Sequence, residues 1–215
     1  MSVDERLLRA REHYELAVFG GDRGMLARAD HELDGVEADL ALARGRILHA
    51  RFLEHRDLED PRELALFERA AHLYHHLDDV RGEAEAHFWI GCVHQVVRQD
   101  DEAAVPALRR SRELAAQAGD KLTLSYALRH LGYAEHRAGR LPEARALLEE
   151  STELRRELGF SAGVAANLVG LAYVATAQDR RDDASALLDE AEALAASSGA
   201  HGIQPMITEA RSTRS

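Results

Sequence analysis

Three stretches of this chain end alike, at a fixed distance. Leu114, Leu154 and Leu194 are evenly spaced, forty positions apart, and so are Gly119, Gly159 and Gly199. Small residues keep the same step at Ala104, Ala144 and Ala184, each followed four positions later by Leu108, Leu148 and Leu188. Ser111, Ser151 and Ala191 complete the pattern. Self-similarity at a period of this length marks a fold made by stacking copies of one supersecondary unit, none of which can bury its apolar face alone. Upstream, Leu131-Gly132-Tyr133 recurs at the same step as Leu171-Ala172-Tyr173, whereas Ile90-Gly91-Cys92 lies one position further back than the step requires. The offset puts one extra residue between Cys92 and Ala104.

Each unit reads as two helices. Leu124, Ala127, Leu128, Leu131, Ala134 and Ala138 follow the helical period. Gly139-Arg140-Leu141-Pro142 breaks it, and a second helix runs from about 143 to 158, with Pro142 at its start and Gly159 past its end. The small residues at 132 and 144 allow the paired helices to come close. The N-terminal part fits two further hairpins. One pairs about 3–19 with about 24–33, split by Gly20-Gly21-Asp22. The other pairs about 35–55 with a helix in 58–79 that has Asp60, Pro61 and Glu63 in a capping-box-like start. After Gly202, Pro205 opens a short helix that caps the last repeat, and the tail beyond it is expected to fray. With no linker long enough to divide it, the chain is expected to form one helical-repeat domain over 1–215. The clear repeats are 80–199, the divergent hairpins 3–79, and the capping helix about 203–212.

The segments AEAHFWIG (84–91), ALRHLG (127–132), LPEARALLEES (141–151) and RDDASALLDEA (181–191) resemble the helix A and helix B signatures of the tetratricopeptide repeat family, in a bacterial variant with the longer, forty-position step. The resemblance implies an all-α fold: a right-handed superhelical solenoid of about five antiparallel hairpins, with helix A of each repeat lining a concave groove. The family's tyrosine position in helix A falls here on Glu135 and Ala175, and its closing proline is absent.

Composition narrows the function. A net charge of −11 argues against wrapping nucleic acid or anionic membrane, which requires clustered Lys and Arg. The single cysteine, Cys92, permits no intrachain disulfide and no multi-cysteine zinc site. There is no apolar run of membrane-spanning length and no signal-peptide core at the N-terminus, so the protein is expected in the cytoplasm. No phosphate loop, GxSxG or HExxH is present, and the acidic runs read as solvated faces or caps.

Aromatic residues make up only 5% of the chain, yet Tyr126, Arg129, His130, Tyr133 and His136 crowd together on one face of one helix A. The resemblance places them in the groove. The preceding helix A brings Glu85, Phe88, Trp89, Cys92 and Gln95 to comparable positions, and the following one brings Tyr173, with Asn167 nearby. Aromatic walls around one cation and several hydrogen-bonding groups suit a peptide segment or small molecule with an acidic group. The alternative for the same side chains is packing between helices. Some family members clamp a peptide's terminal carboxylate with Lys and Asn at helix A positions. Those positions hold Phe88, Cys92, Arg129, Tyr133, Val169 and Tyr173 here, and only Arg129 fits.

His72 and His76, at i and i+4, have metal-like spacing but no third ligand in a known pattern, so no metal or other cofactor is expected. Catalysis would have to draw on Cys92, His94, His130 and His136 without a local motif to pair them. The sequence therefore reads as a binding or regulatory adaptor with no catalytic residue of its own, whose groove takes a protein, a peptide or a small molecule. Two alternatives stand: an enzyme using groove His or Tyr as acid and base, and a self-association module forming a homodimer.

Overall fold

The computed structural model describes residues 4–56 and 58–212. The expected helix start at Val3 and the tail residues 213–215 lie outside this range. Among the described residues there are ten α-helices and no strand. The chain divides into two compact units, Met1–Ala107 and Leu108–Ser215, with the boundary inside one continuous helix.

The first unit holds α1 (Glu5–Val18), α2 (Met25–Glu54), α3 (Arg62–His76), α4 (Val80–Cys92), a π-helical turn (Val93–Val97) and the start of α5 (Asp101–Ala118). Here the structure corrects one expectation. Residues 24–33 and 35–55 are not two helices but the single helix α2, 30 residues long. Asp34-Gly35 does not break it, because an interior glycine costs only about 1 kcal/mol and packing on both sides restores that. The two expected pairings survive on the two halves of α2. Its first half meets α1, where Arg9 binds Glu32 at 2.7 Å, and its second half meets α3, where His49 binds Glu63 at 2.8 Å. The π turn absorbs the extra residue that the offset in the repeat placed after Cys92.

The second unit holds the rest of α5, then α6 (Lys121–Arg137), α7 (Leu141–Glu157), α8 (Ser161–Ala177), α9 (Arg181–Ser198), a 3-10 turn (His201–Ile203) and α10 (Gln204–Ser212). From α6 to α9 successive helices pack on one another as antiparallel neighbours, and α10 closes against α8 and α9. Leu108, Leu128, Leu148, Leu168 and Leu188, one per helix and evenly spaced at half the repeat, are all buried to 1% exposure or less. Gly132 lets α6 close on α7, since a Cβ there would lie 3.0 Å from Leu148 and 3.3 Å from the carbonyl of Ala144.

The repeat is also written in the backbone. The turn after the first helix of each hairpin takes positive φ at Gln99, Gly139 and Asp179, and the turn after the second at Asp78, Gly119, Gly159 and Gly199. Asp79 and Asp120 cap α4 and α6 by accepting backbone N–H groups of the first turn.

Candidate ligand-binding site

The residues singled out in sequence divide between the units. In the first, Glu85 accepts from Arg46 at 2.9 Å, and buried Gln95 donates to Asp101 at 2.9 Å. Phe88 is buried. Trp89 stacks on Phe67 with ring centroids 5.6 Å apart, takes the edges of His49 and Phe88, and lies under the Arg46 guanidinium. These rings pack against neighbouring helices. Cys92 is buried, and desolvation, with the charge of Glu63 second, pushes its thiol well above the usual range. A neutral, enclosed thiol is a poor nucleophile. His76 sets its ring nitrogen 2.8 Å from the carbonyl of His72, which is helix-terminal hydrogen bonding, and no metal-ligating group of three is found among the described residues.

In the second unit, Arg129 and Asn167 come together, and they meet Arg155, which no motif of the sequence marks. Arg129 Nη1 donates to Asn167 Oδ1 at 2.8 Å, and Arg155 Nη1 donates to the same oxygen at 3.0 Å. Arg155 also reaches the carbonyl of Gly163 at 2.8 Å and the hydroxyl of Ser125 at 3.2 Å. Asn167 Nδ2 donates to Ser151 Oγ at 2.8 Å, and that hydroxyl donates to the carbonyl of Ser125 at 2.6 Å. Asn167 therefore orients both guanidiniums from α8 while α6 and α7 supply them. Aromatic faces complete the walls. Arg129 lies 4.6 Å from the centroid of Tyr133, and Arg155 lies 4.8 Å from Tyr126 and 5.6 Å from Phe160. His130 sets its ring against Tyr133, centroids 5.8 Å apart.

The electrostatics are one-sided. Arg155 is 1% exposed and Arg129 8%. Burial first, and then the charge of Arg129, bring Arg155 down to about 10, opposed only by Tyr126 and Tyr133. At about 10, Arg155 remains protonated at neutral pH. Among the described residues, no carboxylate pairs with either. Arg155 Nη2 is buried without a hydrogen-bond partner. In a chain of net charge −11, two buried guanidiniums share one amide oxygen and have no counter-ion among the described residues.

At the end of α6, desolvation and then the charge of Arg137 pull His136 below 6.5, while a hydrogen bond to the backbone of Tyr173 works the other way. Burial raises Tyr173. The room above Gly170 is taken by Tyr133, 3.1 Å from a Cβ placed there, and by Leu148. That glycine serves close packing.

Arg155 had a signal in the sequence. In the register of the repeat its slot is that of Ala115 and Ala195, both buried, and the slot of Asn167 is that of Ala127 and Ile207, also buried. Polar residues in core slots of a repeat are the mark that periodicity alone does not reveal.

Antiparallel helical hairpins recurring at one fixed step define a helical-repeat protein. Residues 123–197, most of the second unit, match the tetratricopeptide repeat family model, which assigns these hairpins to that family. No curated protein matches the chain. Its structure is similar to the crystal structure of BtubC (BKLC) from P. vanneervenii, at 16% identity over 91% of this chain and 90% of that one, with a TM-score of 0.47, too low to carry a functional argument. Tetratricopeptide repeats generally mediate protein–protein interaction, and no described helix is long and apolar enough to cross a membrane.

Proposed function

We propose that this protein is a non-catalytic adaptor or regulatory protein whose second unit recognises an acidic group, on a peptide segment or a small molecule, through Arg129 and Arg155. The observation that carries this reading is the uncompensated pair of buried guanidiniums. Buried charge is ordinarily paired, because desolvation without a partner costs several kcal/mol. A carboxylate or phosphate between Tyr133, Tyr126 and the two arginines supplies the missing charge through charge-assisted hydrogen bonds. Arg129, the less buried of the two and with a single hydrogen bond spent on Asn167, makes the first contact. Arg155 and Asn167 hold the site's field and geometry. Tyr126, His130, Tyr133, His136 and Tyr173 set the walls and hydrogen bonds around the ligand body.

Glu85, Phe88, Trp89 and Gln95 are held among the helices of the first unit and take no part in this reading. The reading places the protein in the cytoplasm.

Native mass spectrometry of the purified protein tests it. An acidic species lost on denaturation, and absent from Arg129→Met, is the expected result. A bare chain that also fails to retain acidic peptides in a pull-down, or that retains them equally with Arg129→Met, overturns it.

A further inference from the structure

The exposed apolar side chains are gathered at one place. Of the large hydrophobic residues exposed among the described residues, nearly all lie between Leu7 and Leu58, in α1, α2 and the segments just after each. Within α2 they form a straight row. Leu26, Leu33, Leu40 and Ile47 recur every seven residues and are 43–54% exposed, on the side of the helix opposite buried Ala38, Leu42, Gly45 and His49. A seven-residue apolar repeat over most of a 30-residue helix keeps one row of large side chains facing the same way, as one row of a coiled-coil seam does. Ala43 and Ala50, exposed beside the row, leave room for a second helix to come close.

The charges alongside select the occupant. Next to the apolar row runs a second seven-residue row, Asp30, Glu37, Arg44 and Arg51, all exposed. Its order is acidic, acidic, basic, basic. Glu37 binds Arg69 at 2.8 Å, while Asp30, Arg44 and Arg51 form no ion pair with a described residue. A second copy laid antiparallel brings the acidic half of one row against the basic half of the other. Asp30 then faces Arg51, and Glu37 faces Arg44, twice over by symmetry. A parallel copy would set like charges together along the whole row. The basic half also lines an open trough of about 550 Å³ with Arg62, Ala65 and Leu66, which widens the receiving surface.

We propose that the chain forms an antiparallel homodimer through the outer face of α2, with Leu26, Leu33, Leu40 and Ile47 at the seam and Asp30, Glu37, Arg44 and Arg51 setting its direction. The contact is isologous, and it closes, as a twofold interface does. It does not depend on the Arg129 site, and its failure would leave that reading untouched.

The test is a charge swap on the full chain, read as mass in solution by analytical ultracentrifugation. The wild type should run at twice the chain mass at concentrations up to about 0.1 mM. The double variants Arg44→Glu/Arg51→Glu and Asp30→Lys/Glu37→Lys each place like charges along the whole row, and each should raise the dimer dissociation constant about a hundredfold. An equimolar mixture of the two should recover the dimer mass as a heterodimer. The four substituted side chains are exposed, so helicity by circular dichroism should stay at the wild-type value. A wild type that remains at single-chain mass, a dimer indifferent to both swaps, or a mixture that stays monomeric overturns the proposal.

Discussion

Asn167 accepts from Arg129 and Arg155 on one oxygen and donates to Ser151 with its nitrogen, so one amide carries the polar core of the second unit. Arg129 and its partner repel each other, and removing one charge relieves the other. Arg129→Met, which keeps the volume, should therefore change stability by less than about 1 kcal/mol in chemical denaturation. Asn167→Ala should cost about 3 kcal/mol, because it strands two buried guanidiniums without their shared acceptor. Equal losses for both would contradict this division of roles. The network adds no pH dependence near neutrality, since Arg155 at about 10 stays charged there. His136 does. Its pKa is lowered on folding, so the unfolded chain binds the extra proton; stability is complete above about 6.5 and declines as the pH falls below it. In His136→Gln that decline should be smaller in a urea series from neutral to mildly acidic pH. The sequence marked Arg129, Asn167 and the surrounding tyrosines, because a polar and aromatic cluster on a helix A is unusual. It did not mark Arg155, which stands among charged neighbours on a helix whose outer face is solvated. Only the alanines in its register betray that the slot faces inward.

At the scale of helices, two glycines in α2 have opposite meanings. A Cβ at Gly45 would lie 2.5 Å from the ring of Phe67, whereas a Cβ at Gly35 would lie 3.5 Å from the nearest atom, in the Arg6 side chain. Gly45→Ala should destabilise by about 2 kcal/mol through overpacking against α3, even after the gain in helix propensity. Gly35→Ala should stabilise by about 0.5–1 kcal/mol, since nothing but backbone entropy changes. Thermal unfolding of the two variants beside the wild type separates them. The same contrast explains what could be read from sequence at this scale. Turns built on Gly139, Gly159 and Gly199 need positive φ and announce themselves. Gly35 sits in ordinary helix, so its resemblance to a break was chemical only. The one-residue offset after Cys92 was legible as an insertion, and its resolution as a π turn is what a helix does when flanking contacts hold it in place.

Across the molecule, the two units differ in where charge and apolar surface lie. The second unit holds the family-matched hairpins and an uncompensated cationic site; the first presents the apolar and charge-segregated face of α2. The fixed step of the repeat and the helical spacing of its apolar residues made the helical architecture legible. The pairing of two arginines across α6, α7 and α8 was not legible, because it depends on which side chains of three helices turn inward together. In the proposed function this pair awaits an acidic group. The most direct test is the melting temperature of the wild type and Arg129→Met in sodium chloride, acetate, phosphate and citrate at constant ionic strength. A ligand bound only by the folded state, at about a hundred times its dissociation constant, adds about 2.7 kcal/mol. Phosphate or citrate should raise the wild-type melting temperature above its value in chloride and leave Arg129→Met unmoved. The same response to all four anions in both proteins would contradict it.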